Sequence, residues 1–188
     1  MKLSLLGTIP YSYAPIFRGL HIAIALLSLS QIVNSNFIDA ELLSDSSFEG
    51  IMTWIHIVSG FLLFFLGVAL LVWMISQRGF RWYYAWVMFD FSGIRRDIRL
   101  ISQFKLPEAS RGGIAAAVQG LGVLALIVVA SSGGIWFITE AFLKASSDIT
   151  EYYIGLHKFL TTFIEIYFYA HGLMGLLHIF LARKTAIS

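Results

Sequence analysis

Charge is scarce in this chain, and cysteine is absent from it. Only 13% of the 188 residues are charged and 58% are hydrophobic, whereas a soluble globular domain usually carries about 25% charged residues. The absence of cysteine excludes disulfides, iron–sulfur clusters and covalently attached c-type haem, and says nothing about the redox compartment. The low charge argues against an ordinary soluble domain.

The uncharged residues form long continuous windows. Three windows contain no Asp, Glu, Lys or Arg at all: Gly19–Ile38, Gly50–Gln77 and Gly112–Thr139. Between Lys158 and Arg183 the only charged residue is Glu165. Each window meets the roughly 20 residues that a helix needs to cross a bilayer. We therefore predict a single all-α domain over residues 1–188, an integral membrane four-helix bundle with spans at about 14–37, 51–76, 113–138 and 154–182.

The charges outside the windows are distributed unequally between the two sides of the predicted membrane. The first connection contains only acidic charges, and the second contains seven basic residues against three acidic ones. Lys2 and Arg18 precede the first span, and Arg183 and Lys184 follow the fourth. Because basic residues stay on the cytoplasmic side, both termini and the second loop are predicted there, in a prokaryotic inner membrane. The basic belt suits anionic lipid headgroups, so lipid is an expected partner and nucleic acid is not.

The second loop is long enough to contain structure of its own. Four apolar residues recur in it at helical spacing, Phe91, Ile94, Ile98 and Ile101, and arginines lie on the other side, Arg95, Arg96 and Arg99. This pattern is typical of a helix that lies on a membrane surface. We predict a short cytoplasmic surface helix here.

Four histidines, His21, His56, His157 and His171, lie at membrane depths where they can pair two by two. An ionisable side chain there is costly and needs a partner or a function. His157 and His171 are 14 residues apart, so they project from one helix face with roughly 21 Å between them along the axis. His21 is near the inner end of the first span, and His56 near the outer end of the second. Depth alone therefore pairs His56 with His157 and His21 with His171.

Neutral imidazole is a natural axial ligand of haem iron. We interpret the two pairs as ligands of two b-type haems, one near each membrane surface; a proton relay, metal transport or structural hydrogen bonding remain alternatives. Gly60, one turn after His56, would let a flat macrocycle approach the helix, although a small residue also permits close helix packing. Arg18, one turn before His21, and Lys158 are candidate partners for haem propionates, and both are also ordinary helix-end charges.

The residues around these histidines resemble the prokaryotic di-haem membrane cytochrome b family. That family includes cytochrome b561 proteins, formate dehydrogenase gamma subunits and nickel–iron hydrogenase cytochrome b subunits. The similar segments are RGLHIAIALLSLS, WIHIVSGFLLFF and GLHKFLTTFIEIYFYAHGLMGLLHIF. The resemblance implies axial ligands at His21, His56, His157 and His171, and a third span without a ligand.

The resemblance also implies a function. Members of this family transfer electrons between an extracytoplasmic redox subunit, such as a dehydrogenase, a hydrogenase or a cytochrome, and the quinone pool. The chain ends without the long basic tail of some formate dehydrogenase gamma subunits, so the resemblance does not identify the partner. A stand-alone quinone-linked oxidoreductase, such as a superoxide:quinone oxidase, is the alternative function. A haem-free transporter or assembly subunit is a third.

Three polar residues are candidates for a role beside the haems. His178, two turns after His171 and on the same face, is a candidate quinone ligand or an interfacial histidine. Gln119, early in the third span, is a second quinone candidate or a helix-to-helix hydrogen-bond partner. Glu165, the only acid within a span, is a candidate for a proton path or a carboxyl that stays protonated.

Overall fold

The computed structural model describes residues 15–38, 47–105, 107 and 109–187. Within these ranges the chain forms helices and no strand. The helices are α1 Pro15–Asn34, α2 Phe48–Arg78, α3 Phe80–Tyr83, α4 Ser92–Ser102, α5 Ile114–Ala141 and α6 Ser147–Ile187. Short 3-10 turns follow α1 at Ser35–Phe37 and α3 at Ala85–Met88.

Four of the helices are long and apolar enough to cross a membrane. They correspond to Phe17–Phe37, Phe48–Arg78, Ile114–Ala141 and Ser147–Leu177. The prediction of an all-α, multi-pass membrane bundle is thereby confirmed. The 41 residues of α6 extend about 60 Å at 1.5 Å per residue, which is about twice the hydrocarbon thickness of a bilayer.

Local signals define the ends of α2. Ser47 precedes the helix in an extended conformation, and its side chain accepts a hydrogen bond from the backbone N–H of Gly50, as N-cap serines do. Gly79 ends the helix with a φ of 79°, a backbone conformation that glycine adopts without steric cost. Its N–H donates to the carbonyl of Ile75 over 2.8 Å.

The spans pack in the order α1, α2, α5, α6. Extensive contacts join α1 to α2, α2 to α5, and α5 to α6. The buried core lies mainly between α2 and α5, where Leu63, Leu70 and Met74 lie in one cluster with Val123 and Leu126. The helices α1 and α6 lack such an extensive contact with each other and border two cavities instead.

The second loop packs on the beginning of α5. The carboxylate of Asp97, only 1% exposed, accepts a hydrogen bond of 2.8 Å from the backbone N–H of Ile114. The hydroxyl of Tyr84 donates to the carbonyl of Gly120 over 3.0 Å. Burial raises the pKa of Tyr84, which keeps this donor protonated.

The predicted second-loop segment is helical, as α4. Its Gly93 and Asp97 are buried against the start of α5, whereas Ile98 and Ile101 are about half exposed. The exposed isoleucine face suits contact with lipid, and the position of α4 relative to the membrane stays a prediction.

Candidate functional site

The structure brings His56 of α2 close to His157 of α6. The centroids of the two imidazole rings are 6.3 Å apart and their planes are inclined by 85°. Both side chains line a cavity of about 390 Å³, which we call the outer cavity because the predicted topology puts it near the extracytoplasmic side.

A second pair forms between His21 of α1 and His171 of α6. Here the ring centroids are 6.0 Å apart and the planes are inclined by 66°. Both side chains line a cavity of about 440 Å³, the inner cavity. These are the same two pairs that the sequence predicted from the matching depths of the histidines.

The ring separations suit a metal ion held between the two imidazoles of each pair. With metal–nitrogen bonds of ~2 Å, two imidazoles on opposite sides of one metal have ring centroids about 6 Å apart. In the described part of the chain, no cluster of three or more His, Cys, Asp or Glu side chains could hold a bare metal ion. A pair of protein ligands instead suits a metal whose remaining ligands come from a macrocycle, as in haem.

The two cavities also have the size of ligand sites. Both have volumes within the range of about 300 to 1,000 Å³ that is usual for ligand sites. The Nδ1 atom of His56 is buried without a hydrogen-bond partner among the described residues, so no described protein group uses the hydrogen-bonding capacity of that nitrogen. The residues present therefore fit a haem in each cavity.

The outer pair is held by polar contacts. Nδ1 of His157 lies 3.1 Å from the carbonyl oxygen of Val129 and 3.0 Å from the hydroxyl of Ser132, both on α5. The side-chain N–H₂ of Gln31, on α1, donates to the carbonyl oxygen of His56 over 3.1 Å. Neighbouring helices thus fix both the ring of His157 and the backbone of His56.

The inner pair is held by aromatic stacking. The ring of Tyr167 stacks on His171 at 5.3 Å, with an angle of 10° between the planes, and Phe17 stacks on His21 at 6.3 Å with 23°. Each aromatic residue precedes its histidine by four positions, one helical turn. A Cβ atom at Gly122 of α5 would overlap the Tyr167 ring, so glycine there gives the stack its space.

The two cavities adjoin each other. Four residues line both: Ser28, Leu126, Ile164 and Phe168. They form a thin partition of mostly apolar side chains between the outer and the inner pair. This arrangement can hold two cofactors in series across the bilayer.

Several other predicted residues also lie at the cavities. Gly60, Lys158 and Glu165 line the outer cavity, and Gln119 lines the inner one. A Cβ atom at Gly60 would have only the side-chain oxygen of Gln31 within 4 Å, at 3.9 Å. The backbone of α2 at Gly60 is therefore directly exposed to the open space of the outer cavity.

Two predicted residues are not placed at a cavity. Arg18 is not among the described residues that line the inner cavity, so its contact with a haem propionate stays a prediction. The side chain of His178 lies outside the described part of the structure, and its quinone role likewise stays a prediction.

The structure adds residues that sequence reasoning missed. Arg78 and Tyr83 line the inner cavity, and Ser132 and Gly133 contact the ring of His157. The aromatic residues one turn before His21 and His171 were detectable from spacing. No sequence pattern pairs α5 residues with His157, because that contact depends on how α5 rotates against α6.

Comparison with known sequences identifies the class of protein. A sequence model of the prokaryotic cytochrome b561 family matches residues 12–188. No curated protein and no solved structure matches the chain.

The chain belongs to the prokaryotic cytochrome b561 family. It is accordingly a multi-pass membrane protein of a family that binds b-type haem and transfers electrons across the membrane.

Proposed function

We propose that this chain holds two b-type haems, ligated by His56 with His157 and by His21 with His171. The observation that carries this proposal is the separation of 6.3 and 6.0 Å between the paired rings. The match of these values to two imidazoles on one iron supports both assignments. Bound haem would supply one-electron redox chemistry at each pair.

We further propose that the chain links an extracytoplasmic redox partner to the quinone pool. The adjoining cavities support electron transfer in series, because only the shared partition separates them. Both chain termini and the second loop are proposed to be cytoplasmic, which puts the pair of His21 and His171 on the quinone-reacting side. An isolated chain that alone converts superoxide and quinone would instead indicate the stand-alone oxidoreductase.

Side chains of the inner cavity support the proposed quinone site. Gln119 and Tyr83 bring an amide and a phenol to this cavity, and Arg78 brings a positive charge. An amide N–H or a phenol O–H can donate to a quinone carbonyl oxygen. In the outer cavity, Thr161 lies in the lining, and its hydroxyl donates to the backbone carbonyl of Lys158 over 2.7 Å.

A stopped-flow experiment tests the quinone assignment. Chemically reduced protein is mixed with a short-chain ubiquinone, and reoxidation is followed by the haem absorbance. We expect Gln119→Leu to slow reoxidation by about tenfold, the loss that follows removal of one buried hydrogen bond of about 1.4 kcal/mol. Thr161→Val, the matched control at the outer cavity, should react at the wild-type rate. Unchanged kinetics in Gln119→Leu together with slow kinetics in Thr161→Val would contradict the inner location.

A further inference from the structure

The third span, α5, contributes no histidine, yet its residues make the only hydrogen bonds to an imidazole ring within the described part of the chain. Both bonds involve Nδ1 of His157, at 3.1 Å from the carbonyl oxygen of Val129 and 3.0 Å from the hydroxyl of Ser132. The rings of the other three paired histidines, His21, His56 and His171, have no such partner among the described residues, and Nδ1 of His56 is buried without one. The four rings therefore differ in their surroundings.

The contact with Val129 determines which ring nitrogen carries the proton. A carbonyl oxygen can only accept a hydrogen bond, so Nδ1 of His157 must donate and must carry the hydrogen. In neutral imidazole the other nitrogen, Nε2, then has the free lone pair that binds a metal. The hydroxyl of Ser132 donates to the same carbonyl of Val129 over 2.7 Å, which leaves its oxygen to accept from Nδ1.

The position of the ring is restricted as well as its protonation. A Cβ atom added at Gly133 would lie 2.9 Å from Cε1 and 3.2 Å from Nδ1 of His157. Distances this short mean that any larger residue would push the ring away from α5. Ser132 itself is only 4% exposed, so its hydroxyl is shielded from water and available to the ring.

We infer that Ser132, on the span without a histidine, positions His157 and sets the reduction potential of the outer haem. The inference rests on the proposed two-haem function. A ligand histidine whose Nδ1–H donates a hydrogen bond is the stronger electron donor, and this stabilises the oxidised iron. The outer haem thus has a lower potential than the same haem would have with an unbonded histidine. Among the described residues, the rings of the inner pair have no such hydrogen bond.

A redox titration of purified variants tests the inference. In Ser132→Ala, the ring loses one of its two acceptors. We expect one of the two haem components to become easier to reduce, its oxidised-to-reduced ratio at a fixed potential falling by up to about tenfold, or ~59 mV for one electron. The other component should keep its wild-type potential. The electron paramagnetic resonance signal of the same oxidised haem should shift as well.

Three further variants make the result specific. Ser131→Ala is the matched control, because the Ser131 hydroxyl donates to Ile127 of its own helix and does not line either cavity; it should titrate as wild type. Ser132→Thr keeps a hydroxyl and should restore the wild-type potential. Gly133→Ala should displace the ring and lose the outer haem from purified protein, which a haem-to-protein ratio measures.

The outcomes separate this inference from the proposed function. Two haems in the wild type, with Ser132→Ala titrating as Ser131→Ala does, would overturn the role of Ser132 alone. Equal shifts of both components would overturn it too, because the described residues make this contact at the outer pair and not at the inner one. Wild-type protein without haem would instead overturn the proposed function.

Discussion

Replacing His157 with alanine is expected to reduce the haem content of the purified protein from two per chain to one. The ring centroids of His157 and His56 are 6.3 Å apart. An iron held between these two rings would keep only one of its two bonds to the protein in this variant. Among the described residues that line the outer cavity, His56 and His157 are the only histidines. A pyridine haemochrome assay, normalised to protein concentration, measures the ratio.

The second pair is the control for that result. His171→Ala should also remove one haem, and the haem that remains should differ in potential from the haem that remains in His157→Ala. The double variant should contain none. Full haem content in His157→Ala would mean that the iron of the outer cavity has a different ligand.

Enlarging Gly122 is expected to damage the inner site selectively. A Cβ atom at this position would overlap the Tyr167 ring, which stacks on His171 at 5.3 Å. In Gly122→Val the tyrosine must move, and its ring stacks on His171, a ligand of the inner pair. We expect loss of most of the inner haem, with the outer haem retained.

Absorption and electron paramagnetic resonance spectra of the Gly122→Val protein measure that loss. Gly155→Ala is the control, because a Cβ atom at Gly155 has no atom within 4 Å and this residue lines neither cavity. Loss of the outer haem in Gly122→Val, or wild-type spectra at both sites, would show that the Tyr167 stack does not support His171.

Much of the fold was predictable because membrane-crossing segments have a distinctive amino-acid composition. Apolar windows of at least 20 residues with no charge, or with one charge as at Glu165, indicate membrane-crossing or deeply buried helices, so the four spans followed from composition. The pairing of histidines by depth followed from alternating helix direction. These inferences need only the length of a helix and the thickness of a bilayer.

The surroundings of the histidines were not predictable in the same way. Whether Ser132 or Ser131 points at His157 depends on the rotation of α5 about its axis, and α5 is apolar on all sides, so its sequence does not identify a preferred face. The stacking of Tyr167 on His171 was open to inference from the spacing of four residues. Its dependence on Gly122 was not, because that glycine belongs to another helix.

The most direct test of the account is the haem stoichiometry and spin state of the purified wild-type protein. We predict two b-type haems per chain, both low-spin in the oxidised state because two imidazoles would ligate each iron. Pyridine haemochrome analysis and electron paramagnetic resonance of one sample supply both values. A single haem per chain, or a high-spin iron at either site, would contradict the pairing of four histidines around two irons.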